Sequence, residues 1–123
     1  MAKELSKIIN DWVPDDSKVI DFGCGDGSLL KELMQTKNVL GYGVEINDLK
    51  IQTCIANGVP VIKQDIDKGI NEFKSSNFDF SIMARSIQCL KNPATALNGM
   101  LKLSKRCVVT LPNLGYWRCR LNI

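Results

Sequence analysis

The run Asp21-Phe22-Gly23-Cys24-Gly25-Asp26-Gly27-Ser28 sets three glycines at alternate positions between two carboxylates. Glycines so placed let a backbone turn sharply and let a ligand approach it closely. A helix expected to begin near Ser28 aims its free N–H groups into the same space. A dinucleotide fingerprint, G-x-G-x-x-G, would need glycine where Ser28 stands, and no Gly-Lys-Ser/Thr of a phosphate loop follows. Asp21 and Asp26 would repel a pyrophosphate, but they suit a ligand carrying an ammonium and a sulfonium. The chemistry indicated is that of S-adenosylmethionine.

Two more acidic positions fit that ligand. Glu45, followed by Ile46 and preceded by Gly41 and Gly43, ends a second apolar run, where a carboxylate can accept from both ribose hydroxyls. Asp65 ends a third, placed to accept from an adenine amino group while Ile66 covers the ring face. Each feature alone is an ordinary turn or a solvated carboxylate, and their recurrence at three consecutive strand ends makes the signal specific. Ser86, in Ser86-Ile87-Gln88, is either a further cofactor contact or a polar helix start. Pro112-Asn113 is either part of an acceptor pocket or a strand-ending turn. Cys24 has no histidine or nearby lysine to activate it and reads as a passive small side chain. No catalytic residue is assigned.

The elements that must position these residues alternate along the chain. Leu5, Ile8, Ile9 and Trp12 have helical spacing. Strands are expected at 18–22, 39–45, 59–65, 78–84 and 106–111. Between them, helices are expected after Ser28, around 51–55 with Gly58 as terminator, briefly over Ile66, Ile70 and Phe73, and from Pro93. Strands alternating with helices imply βαβ units and a mostly parallel, doubly wound sheet. Its ligands lie beyond the carboxyl ends of the strands.

Composition narrows the classes. The 123 residues fit one domain, 1–123. Hydrophobic residues make up 45% and charged residues 24%, as in globular chains. A net charge of +3 from scattered basic residues argues against nucleic acid as partner. No leader pattern opens the chain, and no apolar run approaches the ~20 residues needed to cross a bilayer. No membrane association and a cytoplasmic location are expected. Five dispersed cysteines without a C-x-x-C pair speak against a disulfide framework and a zinc site, and reduced thiols are the expectation. The absence of histidine removes Ser-His and Cys-His nucleophiles and His-based metal sites.

The runs Val19–Gly27, Gly41-Tyr42-Gly43-Val44-Glu45 and Gln64-Asp65-Ile66 resemble the cofactor motifs of class I methyltransferases. More narrowly, these runs together with 55–62 and Leu111-Pro112-Asn113-Leu114-Gly115-Tyr116-Trp117-Arg118 resemble the methionine biosynthesis protein MetW family over nearly the whole chain. Tyr116 stands where that family usually has histidine. The resemblance implies a Rossmann-like class I methyltransferase sheet in strand order 3-2-1-4-5, with S-adenosylmethionine as cofactor. It implies a role beside homoserine O-acyltransferase in methionine synthesis, the alternative being a stand-alone methyltransferase acting on a small molecule. It also implies that the last strands of the sheet fall beyond Ile123. Strand five would then be an open edge, prone to self-association.

Overall fold

The computed structural model describes residues 2–68, 78–84, 90–111 and 115–120, with backbone alone at 2–3, 111 and 115–120. Helix α1 (Ala2–Trp12) leads into β1 (Lys18–Phe22), and α2 (Ser28–Lys37) is followed by β2 (Leu40–Glu45). Then come α3 (Asp48–Ala56), β3 (Val61–Lys63) and a single 3₁₀ turn, Ile66–Lys68. After β4 (Phe78–Met83), α4 (Pro93–Leu103) runs directly into β5 (Ser104–Leu111), and β6 (Gly115–Arg120) follows.

The sheet order is β3-β2-β1-β4-β5-β6. The first five strands are parallel and take the expected order 3-2-1-4-5. Asp21 on β1 lies between Gly43 of β2 and Ile82 of β4. The direction of chain progression reverses at this strand, so the crevice opens at the carboxyl end of β1.

Two expectations are corrected. Gly115–Arg120 forms a sixth strand, antiparallel to β5, with Val109 opposite Trp117 and Cys107 opposite Cys119. The run Tyr-Trp-Arg-Cys-Arg has the aromatic content of a strand, and pairing it satisfies the outer amides and carbonyls of β5. Strand five is therefore internal, and self-association through its edge loses its basis. Cys107 is disulfide-bonded, against the expectation of reduced thiols throughout.

Two other boundaries shift for identifiable reasons. The Val59 amide donates to the Cys54 carbonyl at 3.1 Å, so Val59 and Pro60 finish α3 and β3 starts only at Val61. Of the short helix expected over Ile66, Ile70 and Phe73, the 3₁₀ turn at Ile66–Lys68 is seen, and residues 70 and 73 lie outside the described residues.

Apolar side chains pack on both sheet faces. On one, Ile9, Leu30, Leu33, Cys54 and Ile82 are all fully buried between the sheet and α1, α2 and α3. On the other, Ile20, Phe22 and Val44 meet Ala96 and Met100 of α4. The α4–β5 corner is fixed by Ser104, whose hydroxyl donates to the Met100 carbonyl at 2.8 Å and lies 2.7 Å from Ser81 Oγ. These hydroxyls satisfy one another in a buried setting where an unpaired one would be costly.

Candidate functional site

The glycine loop is built by the backbone. Gly23, Gly25 and Gly27 all have positive φ, at 76°, 62° and 80°. The amides of Gly23 and Cys24 both donate to the Val44 carbonyl, at 2.8 and 3.0 Å, which binds the loop to the adjacent strand β2. Asn57, at the end of α3, donates its side-chain amide to the Asp26 carbonyl at 2.9 Å. Asp26 Oδ1 accepts from the Ser28 amide at 2.9 Å, and α2 begins there with no side-chain cap from Gly27.

Glu45 joins this loop to α3. Its Oε1 accepts the Gly25 amide at 2.9 Å, while Oε2 accepts the amides of Ile46 and Asn47, each at 3.0 Å. Asn47 in turn caps α3 by accepting from the Lys50 amide. A carboxylate offers about four lone-pair positions, and three are already in use.

Gly25, Gly43 and Gly27 serve different ends. A Cβ at Gly25 would meet nothing within 4 Å, so its space is open, and its positive φ is what favours glycine. At Gly43 a Cβ would lie 2.5 Å from Cys24 Sγ, and at Gly27 it would lie 2.7 Å from Cys54 Sγ. Those two glycines make room for sulfur.

The loop, the end of β2 and the turn after β3 enclose a cavity of about 930 Å³, within the range of small-molecule sites. Of the expected cofactor residues, Asp21, Gly23, Cys24, Gly25 and Asp26 line it from the first loop. Glu45, Ile46, Asp65 and Ile66 line it from the next two strand ends. Gly27 is not brought to the cavity; it lies behind the loop, against Cys54 and Val59. Ser86, with Ile87 and Gln88, lies outside the described residues, as do Pro112 and Asn113.

The cavity wall also includes Lys50 and Thr53 of α3, and Leu90. Sequence reasoning passed over them because it looked only at loops. Lys50 and Thr53 lie on the turn of α3 that follows Asn47, and an i, i+3 pair of polar residues there is the signal that places them. Asp67 is a further lining residue. Its Oδ1 accepts from the Lys91 and Asn92 amides at 2.9 and 3.3 Å, tying the turn after β3 to the start of α4.

The electrostatics are one-sided. Among the described residues, Asp21, Asp26, Glu45, Asp65 and Asp67 face the cavity and Lys50 is the only cation there. Asp21 is 2% exposed and Glu45 8%. Hydrogen bonds from the Ser28 amide and side chain hold Asp26 below the ordinary carboxylate value of 3.8. Burial, and then the Asp21 carboxylate, push the Cys24 thiol far upward, which leaves it protonated and a poor nucleophile. Among the described residues no cluster of three or more His, Cys, Asp or Glu has the form of a metal site, and no helix is long and apolar enough to cross a membrane.

Comparison with known proteins places this arrangement. The bifunctional methionine biosynthesis protein MetXA/MetW of Rhodopirellula baltica is 28% identical to it over 88% of this chain. The chain spans about a fifth of that relative, 19% of its length. A SAM-dependent methyltransferase of Thermotoga maritima superposes with a TM-score of 0.71 at 22% identity, over 86% of this chain and 49% of that one. A SAM-dependent methyltransferase of Geobacter sulfurreducens, solved with S-adenosyl-L-homocysteine, gives 0.70 at 12% identity, over 89% and 47%. Likeness at those identities carries the fold, a Rossmann-like class I methyltransferase sheet. The model of one family matches residues 3–123, and the chain belongs to it: the methionine biosynthesis protein MetW family.

Proposed function

We propose that the chain binds S-adenosylmethionine in the cavity above β1 and acts in methionine biosynthesis beside homoserine O-acyltransferase. The observation that carries the cofactor is the acidic wall. Five carboxylates against one ammonium favour a ligand with cationic groups and disfavour a pyrophosphate. The residues present fit the group: Asp21 and the Gly23–Gly25 backbone suit its amino-acid end, and Glu45 its ribose. Ile46, 54% exposed at the cavity rim, and Ile66 offer apolar faces for a purine beside Asp65. Bound there, the cofactor supplies a methyl group on an electron-poor sulfur.

No imidazole exists in this chain to act as base, and Cys24, the one cysteine at the cavity among the described residues, is held protonated. A binding and regulatory role asks for no general base, and methyl transfer by orientation of the sulfonium against an acceptor is the alternative. The relative that carries MetXA and MetW in a single protein supports the acyltransferase as partner. Calorimetric titration of reduced protein with S-adenosylmethionine and S-adenosylhomocysteine tests the first half. Heat of binding with a 1:1 end point is expected, and its absence for both ligands overturns the cofactor reading. Co-purification with homoserine O-acyltransferase, followed by acyl transfer with and without this chain, tests the second. No complex at micromolar concentration together with turnover of labelled cofactor favours the stand-alone methyltransferase.

A further inference from the structure

Beneath the glycine loop, two thiols touch. Cys24 Sγ and Cys54 Sγ are 3.8 Å apart, van der Waals contact for sulfur, although the residues are 30 apart in sequence. Both are free thiols and both are buried. Glycine backbone lies beside each: Gly43 behind Cys24 and Gly27 against Cys54, each so close that a Cβ would fall within 2.7 Å of the sulfur. The pair thus occupies the space opened by one glycine of the loop and one of β2. Only one of the two, Cys24, also lines the cavity.

We propose that Cys24 and Cys54 are a modification site, forming a reversible disulfide that weakens cofactor binding, with the cavity as the way in for a peroxide. The small thiolate fraction of Cys24 attacks hydrogen peroxide, the O–O bond breaks, and a sulfenic acid and one water result. The Cys54 sulfur then attacks the Cys24 sulfur, the S–O bond breaks, and the hydroxide takes the Cys54 thiol proton and leaves as a second water. Two thiols and one peroxide become one disulfide and two waters.

The coupling to binding follows from geometry and rests on the cofactor reading above. A disulfide brings the sulfurs to about 2.05 Å, far inside the present 3.8 Å. Cys54 is held in a helix, while Cys24 lies in a loop of glycines, so the loop takes up most of the movement. That loop presents the Gly25 amide to Glu45 and the Asp21–Asp26 wall to the ligand. A ligand in the cavity covers Cys24 in return, and linkage makes the effect reciprocal. Burial, and then the carboxylates of Asp21 and Glu45, with Asp26 as well beside Cys54, disfavour both thiolates, so the pair responds slowly and resists casual oxidation.

The test treats the folded protein with hydrogen peroxide, with and without S-adenosylhomocysteine, and maps disulfides by mass spectrometry of unreduced digests. A peptide linking Cys24 to Cys54 is expected, formed more slowly when the ligand is present. Affinity for S-adenosylhomocysteine should fall about tenfold on oxidation and return with dithiothreitol, which leaves methionine sulfoxide untouched. Cys54→Ser, or Cys54→Ala should the serine variant fold poorly, should lose this sensitivity. No linked peptide, or a linked peptide with unchanged affinity, overturns the inference. Failure of the reduced protein to bind either ligand overturns the cofactor reading instead, and the linked peptide still decides whether the dithiol closes.

Discussion

Glu45 Oε1 accepts the backbone amide of Gly25 across 2.9 Å, so the acidic residue ending β2 also fixes the loop that follows β1. Its other oxygen holds the two amides that lead into α3. One side chain thereby sets three structural pieces of the cavity. With three amides on it, about one lone-pair position remains for a ligand hydroxyl, so the two ribose hydroxyls cannot both be accepted without displacing an amide.

Replacing this residue separates structure from binding. Glu45→Ala leaves three loop amides without their acceptor and should weaken cofactor binding by roughly 1–3 kcal/mol, with a loss of thermal stability in the unliganded protein. Glu45→Gln keeps one acceptor oxygen but turns an NH₂ toward donors, so it should bind more weakly than wild type while melting closer to it. Calorimetry and thermal melts on the same samples provide both readouts. Equal affinity in all three proteins would show that the carboxylate only supports the loop.

The contact between Gly43 and Cys24 makes a second prediction. Gly43→Ala places a methyl 2.5 Å from the sulfur and should destabilise the fold by about 1–3 kcal/mol. Removing the sulfur with Cys24→Ala makes room for that methyl. The double variant should therefore recover much of the loss, and denaturant unfolding of the four proteins gives the coupling directly. Additive costs would mean that the clash is absorbed elsewhere. Gly25→Ala behaves differently, because its methyl meets nothing, and it should cost about 1–2 kcal/mol for the left-handed backbone alone.

Asp26 carries a pH dependence of known sign. The Ser28 amide, and then its side chain, hold the folded carboxyl below 3.8. A group with a depressed folded value stabilises the protein above its unfolded value and loses that contribution as pH falls through the folded one. Asp26→Ala should therefore be less stable than wild type at neutral pH, and the gap should narrow below about pH 4. Urea unfolding at several pH values reads this, and a constant gap would remove the hydrogen bond from the account.

Much of this was legible in the residues because local and global signals agree. Lys18–Phe22 is strand at the expected bounds, since its apolar residues are buried on both sheet faces. Asp21, Glu45 and Asp65 converge on one cavity because parallel strands bring their carboxyl ends to the same side. What escaped depends on contacts distant in sequence. Gly27 looked like a ligand glycine, yet the partner that requires it is Cys54, on the next helix. Asn57 drew no expectation, and its side-chain amide holds the Asp26 carbonyl 31 residues away. Strand β6 was hidden because its pairing partner, not its own alternation, decides it.

Asp67 supplies the last prediction. Helix α4 begins after Asn92, whose side chain makes no cap hydrogen bond. The first amides of a helix lack partners within it, and a carboxylate near them is favoured by the helix dipole as well. Asp67 Oδ1 accepts from the Lys91 and Asn92 amides just ahead of α4, and the same residue lines the cavity. It therefore clamps the turn beside Asp65 and Ile66 to the start of α4, and Ile66 packs against the same apolar cluster as that helix. Asp67→Ala removes the clamp and should cost about 1 kcal/mol of stability, the usual scale for losing a helix-capping acceptor. Asp67→Asn keeps the acceptor oxygen and loses the charge, so it should retain most of the stability. If the clamp also shapes the purine side of the cavity, Asp67→Ala should lower affinity for S-adenosylhomocysteine more than Asp67→Asn does. Hydrogen exchange at residues 65–68 and 91–96 should rise together in the alanine variant. Faster exchange in only one of those segments would show that the two are not joined through Asp67.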